Sequence, residues 1–488
     1  MKLGDLIEAA AVEATSGDLG AEVTALAYDS RRVDPGTLFF CVPGFTADGH
    51  DFAAGAVADG AAGLVVERSL DLDVAQVRVA SIREAMAPLA ARFWGDPTAE
   101  LAMAGITGTN GKTTTSFLLR EILEAEGVSC GLLGTVRQVV GGAEEEVVRT
   151  TPEAIDLQAT FRRMAGAGDR ACVMEVSSHA LELHRCDAIR FDVALFTNLT
   201  QDHLDFHPGM EAYFRAKRIL FADLEPQSTV ANLDDPYGRR LAEEFGSTTF
   251  SALGADADFT AADVDFDAGG SSFTARTPGG EAAVRIRLPG HFNVANALGA
   301  IAAAAELGVP PQRAAEALAG VAGVPGRFEP IQEGQPFAVL VDYAHTPDSL
   351  ENVLRAARRL TAGRLISVFG AGGDRDRDKR PKMGRVGAGL SDLAVITSDN
   401  PRSEDPDAII AEILEGTGGE AVVVEPDRRA AIALALREAR AGDTVVIAGK
   451  GPEQGQEFEE GRKIPFDDRL VASGELRALA AAEGAGDD

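Results

Sequence analysis

Cysteine is scarce: the four in 488 residues, Cys41, Cys130, Cys172 and Cys186, show no paired spacing. That excludes a disulfide framework and a cysteine-built metal ribbon, and reads as buried thiols in a reducing compartment. Basic charge is also scarce, with 46 Lys and Arg against 76 Asp and Glu and a net charge of −30. A general basic surface for nucleic acid is thereby excluded. Any anionic ligand has to be held by local cations and helix ends against that background field. No apolar run approaches a membrane span, and the start, Met1–Leu6, has no signal-peptide core. The expectation is a cytoplasmic protein without membrane insertion. No short-period repeat is visible. The hydrophobic fraction, 45%, is that of ordinary globular chains, and the length suggests roughly three domains of ~150 residues.

The most informative stretch runs from Leu101 to Thr115. An apolar run leads into Gly108, Asn110 and Gly111, followed by Lys112, three threonines and a helical pattern over Phe117–Leu123. Strand, Gly-rich turn and helix N-terminus in that order point backbone N–H groups at a phosphate chain. Lys112 is then expected to reach the β- and γ-phosphates and the Thr113 hydroxyl to sit on Mg²⁺. The strict pattern asks for glycine where Ile106 stands, so this is a variant phosphate loop.

Around this loop the chain reads as three α/β blocks. Residues 1–99 carry strand-like runs at Ala25–Tyr28, Thr37–Val42 and Gly63–Val66, with helical patterns at Asp51–Asp59 and Arg83–Trp94, and close on a linker at Gly95–Pro97. The central block, 100–325, alternates strands (Met103–Ile106, Ala171–Val176, Val193–Thr197) with helices (Thr113–Glu126, Ile155–Ala165, Glu211–Leu220). That alternation implies a mostly parallel sheet with ligands beyond its carboxyl edge. A β-prone insert at Asp256–Leu288 and an Ala-rich helix at Asn293–Leu307 follow, then a second hinge at Gly323–Phe328. The block 326–488 reads as a Rossmann-like sheet with strands at Ala338–Asp342, Leu365–Phe369, Leu393–Thr397, Ala421–Val424 and Thr444–Ala448, and a tail that frays from Ala478.

Three further features fall where strands end. In Met174–His179, the Glu175 carboxylate can join Thr113 on one magnesium ion, since that metal takes hard oxygen ligands; a capped turn is the plainer alternative. Phe196–His207 gathers two histidines and two aspartates without the context of a zinc motif, which favours a metal-and-phosphate site. Lys217 lies on a predicted helix, where a solvated lysine is the ordinary reading.

Taken together, Thr107–Thr114, Glu175–His179, Thr197–Asp205, Lys217, Gly290–Asn296 and Asp342–Asp348 resemble the Mur ligase family, in that family's order and over nearly the whole chain. The likeness is greatest to the members that add the third amino acid of the peptidoglycan precursor. It implies an α/β fold of three domains: a small UDP-binding domain, a central phosphate-loop domain and a C-terminal Rossmann-like domain. It also implies a reaction. ATP activates the D-Glu carboxylate of UDP-MurNAc-L-Ala-D-Glu as an acyl phosphate, and the amine of the incoming amino acid displaces phosphate. Bringing two anions together calls for cationic charge.

The resemblance carries roles onto individual positions. Gly108, Thr109, Asn110, Gly111, Lys112, Thr113, Thr114, Asn293, Asn296, Arg327 and Asp342 match ATP-binding positions. Thr113, Glu175, His203 and Lys217, the last carbamylated, match ligands of two Mg²⁺ ions, with Lys112, Glu175, His203 and Lys217 the catalytic set. Tyr28, Ser30, Phe45, Thr46 and Ala47 match the UDP loops, and Thr150, Thr151, Ser177 and Arg185 the muramoyl-dipeptide positions. Arg380, Asp399, Asn400, Pro401, Arg402, Gly449 and Glu453 match the amino-acid site. An arginine at 402 can pair with the distal carboxylate of meso-diaminopimelate, which lysine lacks. Arg149, Leu183 and Pro452 depart from the family's usual residues. The alternatives are a lysine-adding relative, a folate polyglutamate ligase, and a nucleotide-binding module without ligase chemistry; Arg402, the UDP-like first block, and Lys217 with the third block argue against each in turn. A monomer that closes about Gly95–Pro97 and Gly323–Gly326 is the expected form.

Overall fold

The computed structural model describes all residues except 45, 46, 148, 268, 420 and 485–488. The chain forms two compact units, one of Met1–Thr107, Gly127–Ala194 and Ala216–Thr229, the other of Gly108–Glu126, Leu195–Arg215 and Val230–Asp488.

The first unit opens with a five-stranded sheet in the order Val12–Ser16, Ala75–Val79, Gly63–Val66, Thr37–Phe40, Ala25–Ala27, parallel except for the first pair. Gly63–Val66 and Thr37–Phe40 are buried throughout, as expected of parallel strands covered on both faces. Ser81 caps the helix Ile82–Phe93 by accepting from the Glu84 amide. Further along, Ala102–Thr107, Ala171–Glu175 and Cys130–Leu133 pair in parallel, and Cys130–Leu133 continues antiparallel into Gln138–Val140 and Ala143–Glu145. The sequence reading has none of Val12–Ser16, Ala75–Val79 or these last three strands, because runs this short carry little periodicity. It also extends Ala25–Tyr28 one residue too far. Tyr28 leaves the strand to donate its hydroxyl to Asp156 at 2.6 Å.

In the second unit the helix Lys112–Ala125 packs on the helix His291–Glu306. The expected insert is three antiparallel strands, Phe259–Asp267, Gly270–Thr277 and Gly280–Ile286. The C-terminal sheet runs in the order Glu329–Pro330, Ala338–Asp342, Thr444–Ala448, Leu365–Phe369, Leu393–Ile396, Val422–Val424, parallel after its first short strand. One face buries a core that includes Leu350, Leu354, Met383, Ile410 and Ile413, and the other a core that includes Ile432, Leu436, Val471 and Leu476. This is the doubly wound arrangement, and it brings Asp342, Ser398–Arg402 and Gly449–Glu453 to the carboxyl ends of the strands. The last helix, Asp468–Gly484, runs past Ala478, where the sequence reading has the chain fray. Burial of Val471, Ala472 and Leu476 keeps this helix docked.

That helix is also held by a buried ion pair. Arg428 Nη2 and Nε donate to Asp468 Oδ2 and Oδ1 at 2.7 and 2.8 Å, and both side chains are fully buried. Asp468→Asn should therefore cost roughly 3–5 kcal/mol by leaving an uncompensated buried guanidinium. A shift in urea unfolding below about 1 kcal/mol would contradict this.

Candidate active site

The phosphate loop forms as the sequence pattern requires. Gly111 ends it with φ 86°, and a Cβ there would lie 2.3 Å from Asn296 Oδ1, so both backbone and space demand glycine. The loop is tied down from Thr197–Thr200: Thr197 Oγ1 and Asn198 Nδ2 donate to the Asn110 carbonyl at 2.6 and 3.1 Å, and the Asn110 amide donates to Asn198 Oδ1 at 2.9 Å. Lys112 Nζ curls onto the carbonyls of Gly108 and Thr109 at 3.0 and 2.8 Å, at the helix end where an anion is stabilised.

This loop forms one wall of a cavity of about 310 Å³, which Asn293, Asn296, Arg327, Asp342 and Asp348 also line. Seven expected nucleotide contacts are thus brought together, namely Asn110, Gly111, Thr114, Asn293, Asn296, Arg327 and Asp342. Asp348 is an addition: its Oδ2 accepts from Asn110 Nδ2 at 2.8 Å. Burial raises the carboxyl pKa of both Asp342 and Asp348, while Arg327 lowers it for the first and the Asn110 bond for the second. Arg327 Nη2 donates to Thr113 Oγ1 at 2.8 Å, and its guanidinium lies 4.8 Å from the Tyr343 ring centroid.

Beside the loop, His203 stands at φ 55°, 3.4 Å from the Asp202 carboxylate, which also pairs with Lys379 at 3.4 Å. Burial opposes the charge on Asp202, yet Lys379, His203 and His345 together hold its carboxyl well below the usual range.

The amino-acid residues gather at the carboxyl ends of the C-terminal strands. Arg402 has φ 52°, a left-handed conformation that costs a non-glycine residue of order 1 kcal/mol. Its Nε donates to Glu457 Oε2 at 3.0 Å and its Nη1 to the Gly373 carbonyl at 2.7 Å, while Nη2 makes no hydrogen bond among the described residues. Gly449 has φ 121° and lies so near Asp399 that a Cβ would sit 2.5 Å from its Oδ2. Burial opposes ionisation of Asp399, but Lys450, Arg428, His345 and Arg402 keep its carboxyl low. Glu453 Oε2 accepts from Asn400 Nδ2 at 2.8 Å and from the fully buried Lys450 Nζ at 2.9 Å. Pro452 packs directly against Gly326, which defines the loop at that departure. Arg380 stands apart from an open site: it is fully buried, with Nη1 and Nη2 donating to Glu404 at 2.9 and 2.7 Å and Nη1 to Glu412 at 2.7 Å. It braces the loop that offers Gly373 to Arg402.

In the first unit, Glu175 is buried and accepts from the Thr135 amide at 2.8 Å and the Thr135 hydroxyl at 3.0 Å. The Thr150 and Thr135 hydroxyls are 3.0 Å apart, Thr151 Oγ1 donates to the Glu175 carbonyl at 2.8 Å, and Arg185 Nη1 donates to the Thr151 carbonyl at 3.0 Å. Ser177 caps the short helix after this strand, and its amide donates to Thr151 Oγ1 at 3.2 Å. Thr150, Thr151, Ser177, Arg185 and Glu175 therefore form one cluster. Glu153 draws in Arg185 at 2.7 Å and the departure Arg149 at 2.8 Å. Ser30 opens a short 3₁₀ turn capped by Asp29, and the Ala47 carbonyl accepts from the Gly44 amide at 2.9 Å; Phe45 and Thr46 lie outside the described residues. Lys217 is buried, with 1% exposure, on the helix Met210–Ala222.

Among the described residues no group of three or more His, Cys, Asp or Glu side chains is gathered to cage a metal. Magnesium does not need one, because one or two hard oxygen ligands suffice beside phosphates. The oxygen donors Thr113 and Glu175 suit that ion. Thr113 and His203 belong to the second unit, Glu175 and Lys217 to the first.

Comparison with known proteins decides the lineage. Family models match in chain order at 22–94 (Mur ligase family, catalytic domain), 106–304 (Mur ligase middle domain) and 326–451 (Mur ligase, glutamate ligase domain). The chain belongs to the Mur ligase family. It is 45% identical to the UDP-N-acetylmuramoyl-L-alanyl-D-glutamate–2,6-diaminopimelate ligase of Syntrophomonas wolfei subsp. wolfei, over 98% of this chain and 99% of that one. With the ligase of the same name from Streptomyces coelicolor the identity is 48%, over 96% and 95%. A solved structure of an enzyme of that name superposes with a TM-score of 0.69 at 32% identity, over 98% and 99%. The family's N-terminal, middle and C-terminal domains are all present, as the resemblance implies.

The site residues that sequence reasoning missed are Asn198, Thr200, Asp348, Tyr343, Lys450 and Glu457. All but Lys450 and Glu457 lie inside the stretches that carry the resemblance, so position was a usable signal for those four.

The Arg380–Glu404 pair has a pH signature. Hydrogen bonds from Arg380 hold the Glu404 carboxyl down to about 2, below its value of about 4.3 in an unfolded chain. The stabilisation is therefore complete above the unfolded value and is lost as pH falls toward 2. Glu404→Gln should flatten the fall of the unfolding midpoint over that interval. A variant with the wild-type slope would contradict the pairing.

Proposed function

We propose that this Mur ligase joins meso-2,6-diaminopimelate to the D-Glu carboxylate of UDP-MurNAc-L-Ala-D-Glu, with ATP converted to ADP and phosphate, as a cytoplasmic step of peptidoglycan precursor synthesis. The observation that carries the choice of amino acid is Arg402, held in a strained left-handed conformation with two of its nitrogens on protein and its Nη2 without a hydrogen bond among the described residues. The names of the full-length relatives support the same substrates. Among the described residues no helix is long and apolar enough to cross a membrane.

In the reaction a carboxylate oxygen of D-Glu attacks the γ-phosphorus and ADP leaves. The free amine of the amino acid then attacks the acyl carbon, and the tetrahedral adduct collapses with loss of phosphate. Magnesium, when bound, would supply positive charge to the reacting anions, and Thr113, Glu175, His203 and a carbamylated Lys217 would hold it. Lys112 and the amides of Gly108–Thr114 hold the phosphates. Asn293, Asn296, Arg327 and Asp342 hold the rest of the nucleotide. Lys217, the residue to be carbamylated, is buried on its helix. Tyr28, Ser30, Phe45, Thr46 and Ala47 serve the UDP moiety, and Thr150, Thr151, Ser177 and Arg185 the muramoyl dipeptide. At the amino-acid site Asp399, Asn400, Pro401 and Gly449 contact the diamino acid, Glu453 takes its distal ammonium and Arg402 its distal carboxylate, with Arg380 bracing from behind. The domains are 1–99, 100–325 and 326–488, in a monomer that closes on its substrates.

Phosphate release from ATP with UDP-MurNAc-L-Ala-D-Glu should require meso-diaminopimelate and fail with L-lysine. Turnover with lysine alone would overturn the specificity, and none with either would overturn the ligase. Arg402→Ala should lower kcat/KM for diaminopimelate roughly 100-fold while leaving ATP binding intact; unchanged discrimination would contradict its role. Lys217→Ala should be inactive and partly rescued by short carboxylic acids, whereas an unimpaired variant would show that no carbamate is needed.

A further inference from the structure

Between the nucleotide cavity and the amino-acid pocket stands a residue that belongs to neither set. Tyr343 follows the strand Ala338–Asp342, and its amide donates to the Gly326 carbonyl at 3.0 Å. One end of its side chain faces the nucleotide: the Arg327 guanidinium lies 4.8 Å from the ring centroid while its Nη2 donates to Thr113 Oγ1 at 2.8 Å. Arg327 Nε is buried with no hydrogen-bond partner among the described residues. The π face of Tyr343 thus supplies electrostatic contact that no acceptor supplies there. The other end faces the amino acid, where the Tyr343 hydroxyl donates to Glu453 Oε1 at 3.2 Å. Glu453 Oε2 is meanwhile engaged by Asn400 and Lys450 at 2.8 and 2.9 Å. Burial first, and then the neighbouring Glu453 charge, push the phenol well above its ordinary range, so it stays protonated and remains a donor.

We propose that Tyr343 is a positioning residue that joins the two ends of the site, its ring seating Arg327 against the phosphate loop and its hydroxyl aiming Glu453 at the distal ammonium of the incoming diamino acid. This rests on the ligase reading above. Its consequence is that the two ends can be separated chemically. Removing only the hydroxyl frees one oxygen of Glu453 and leaves the ring under Arg327. Removing the ring disturbs both ends.

The test is steady-state kinetics of wild type, Tyr343→Phe and Tyr343→Leu, with KM measured separately for meso-diaminopimelate and ATP. Tyr343→Phe should raise KM for diaminopimelate about tenfold, the scale of one hydrogen bond to a charged group, and leave KM for ATP within about twofold. Tyr343→Leu should raise both. A general packing role predicts a different pattern, a loss of kcat or stability without the split between substrates. A Phe variant whose diaminopimelate KM stays within about twofold, or whose ATP KM rises as much, would overturn the assignment. Wild-type protein that fails to turn over diaminopimelate would instead overturn the ligase reading, and this inference with it.

Discussion

The guanidinium of Arg327 donates to the Thr113 hydroxyl and lies over the Tyr343 ring, and the second unit's site is built outward from those two contacts. On one side Thr113 lies in the first turn of the helix behind the phosphate loop. On the other, Tyr343 leads to Glu453, Asn400 and Lys450. The phosphate loop and the candidate amino-acid pocket therefore share one set of fixed charges. Preorganised charge is worth most where water is excluded and no reorganisation is needed at the moment of reaction.

The net charge of −30 makes that arrangement more than a detail. An acidic chain cannot attract a nucleotide, a UDP-sugar peptide and a dicarboxylic amino acid by its overall field, so cations must be placed one at a time. The structure does this by pairing each with carboxylates or carbonyls that set its direction: Arg402 on Glu457 and Gly373, Arg380 on Glu404 and Glu412, Lys450 on Glu453 and Asn400, Arg185 on Glu153 and Thr151. Buried pairs of this kind add little net stability compared with apolar packing. What they supply is direction.

The phosphate loop, the parallel C-terminal strands and the turns at their carboxyl ends were legible in the residues, since glycine spacing and buried Val, Ile and Leu runs are local signals. The antiparallel strands Gln138–Val140 and Ala143–Glu145 were not, being short and held by neighbours rather than by pattern. Side-chain partnerships were the least legible. Nothing in Gly373–Pro381 distinguishes a fully buried arginine from a ligand-facing one, and Lys450 reads as any loop lysine. The left-handed turn at Arg402 is likewise imposed by contacts with Glu457 and Gly373, residues distant in sequence. Tyr343 and Asp348 lay within a recognised stretch, yet their partners, Glu453 and Asn110, are 110 and 238 positions away.

The central claim is that this charge array forces a carboxylate onto a phosphoryl group, so that the substrate's oxygen leaves with phosphate. The direct measurement uses UDP-MurNAc-L-Ala-D-Glu labelled with ¹⁸O in the reacting D-Glu carboxylate, turned over with ATP and meso-diaminopimelate. One labelled oxygen should appear in each phosphate released. Phosphate free of label, with peptide product formed, would contradict activation through an acyl phosphate.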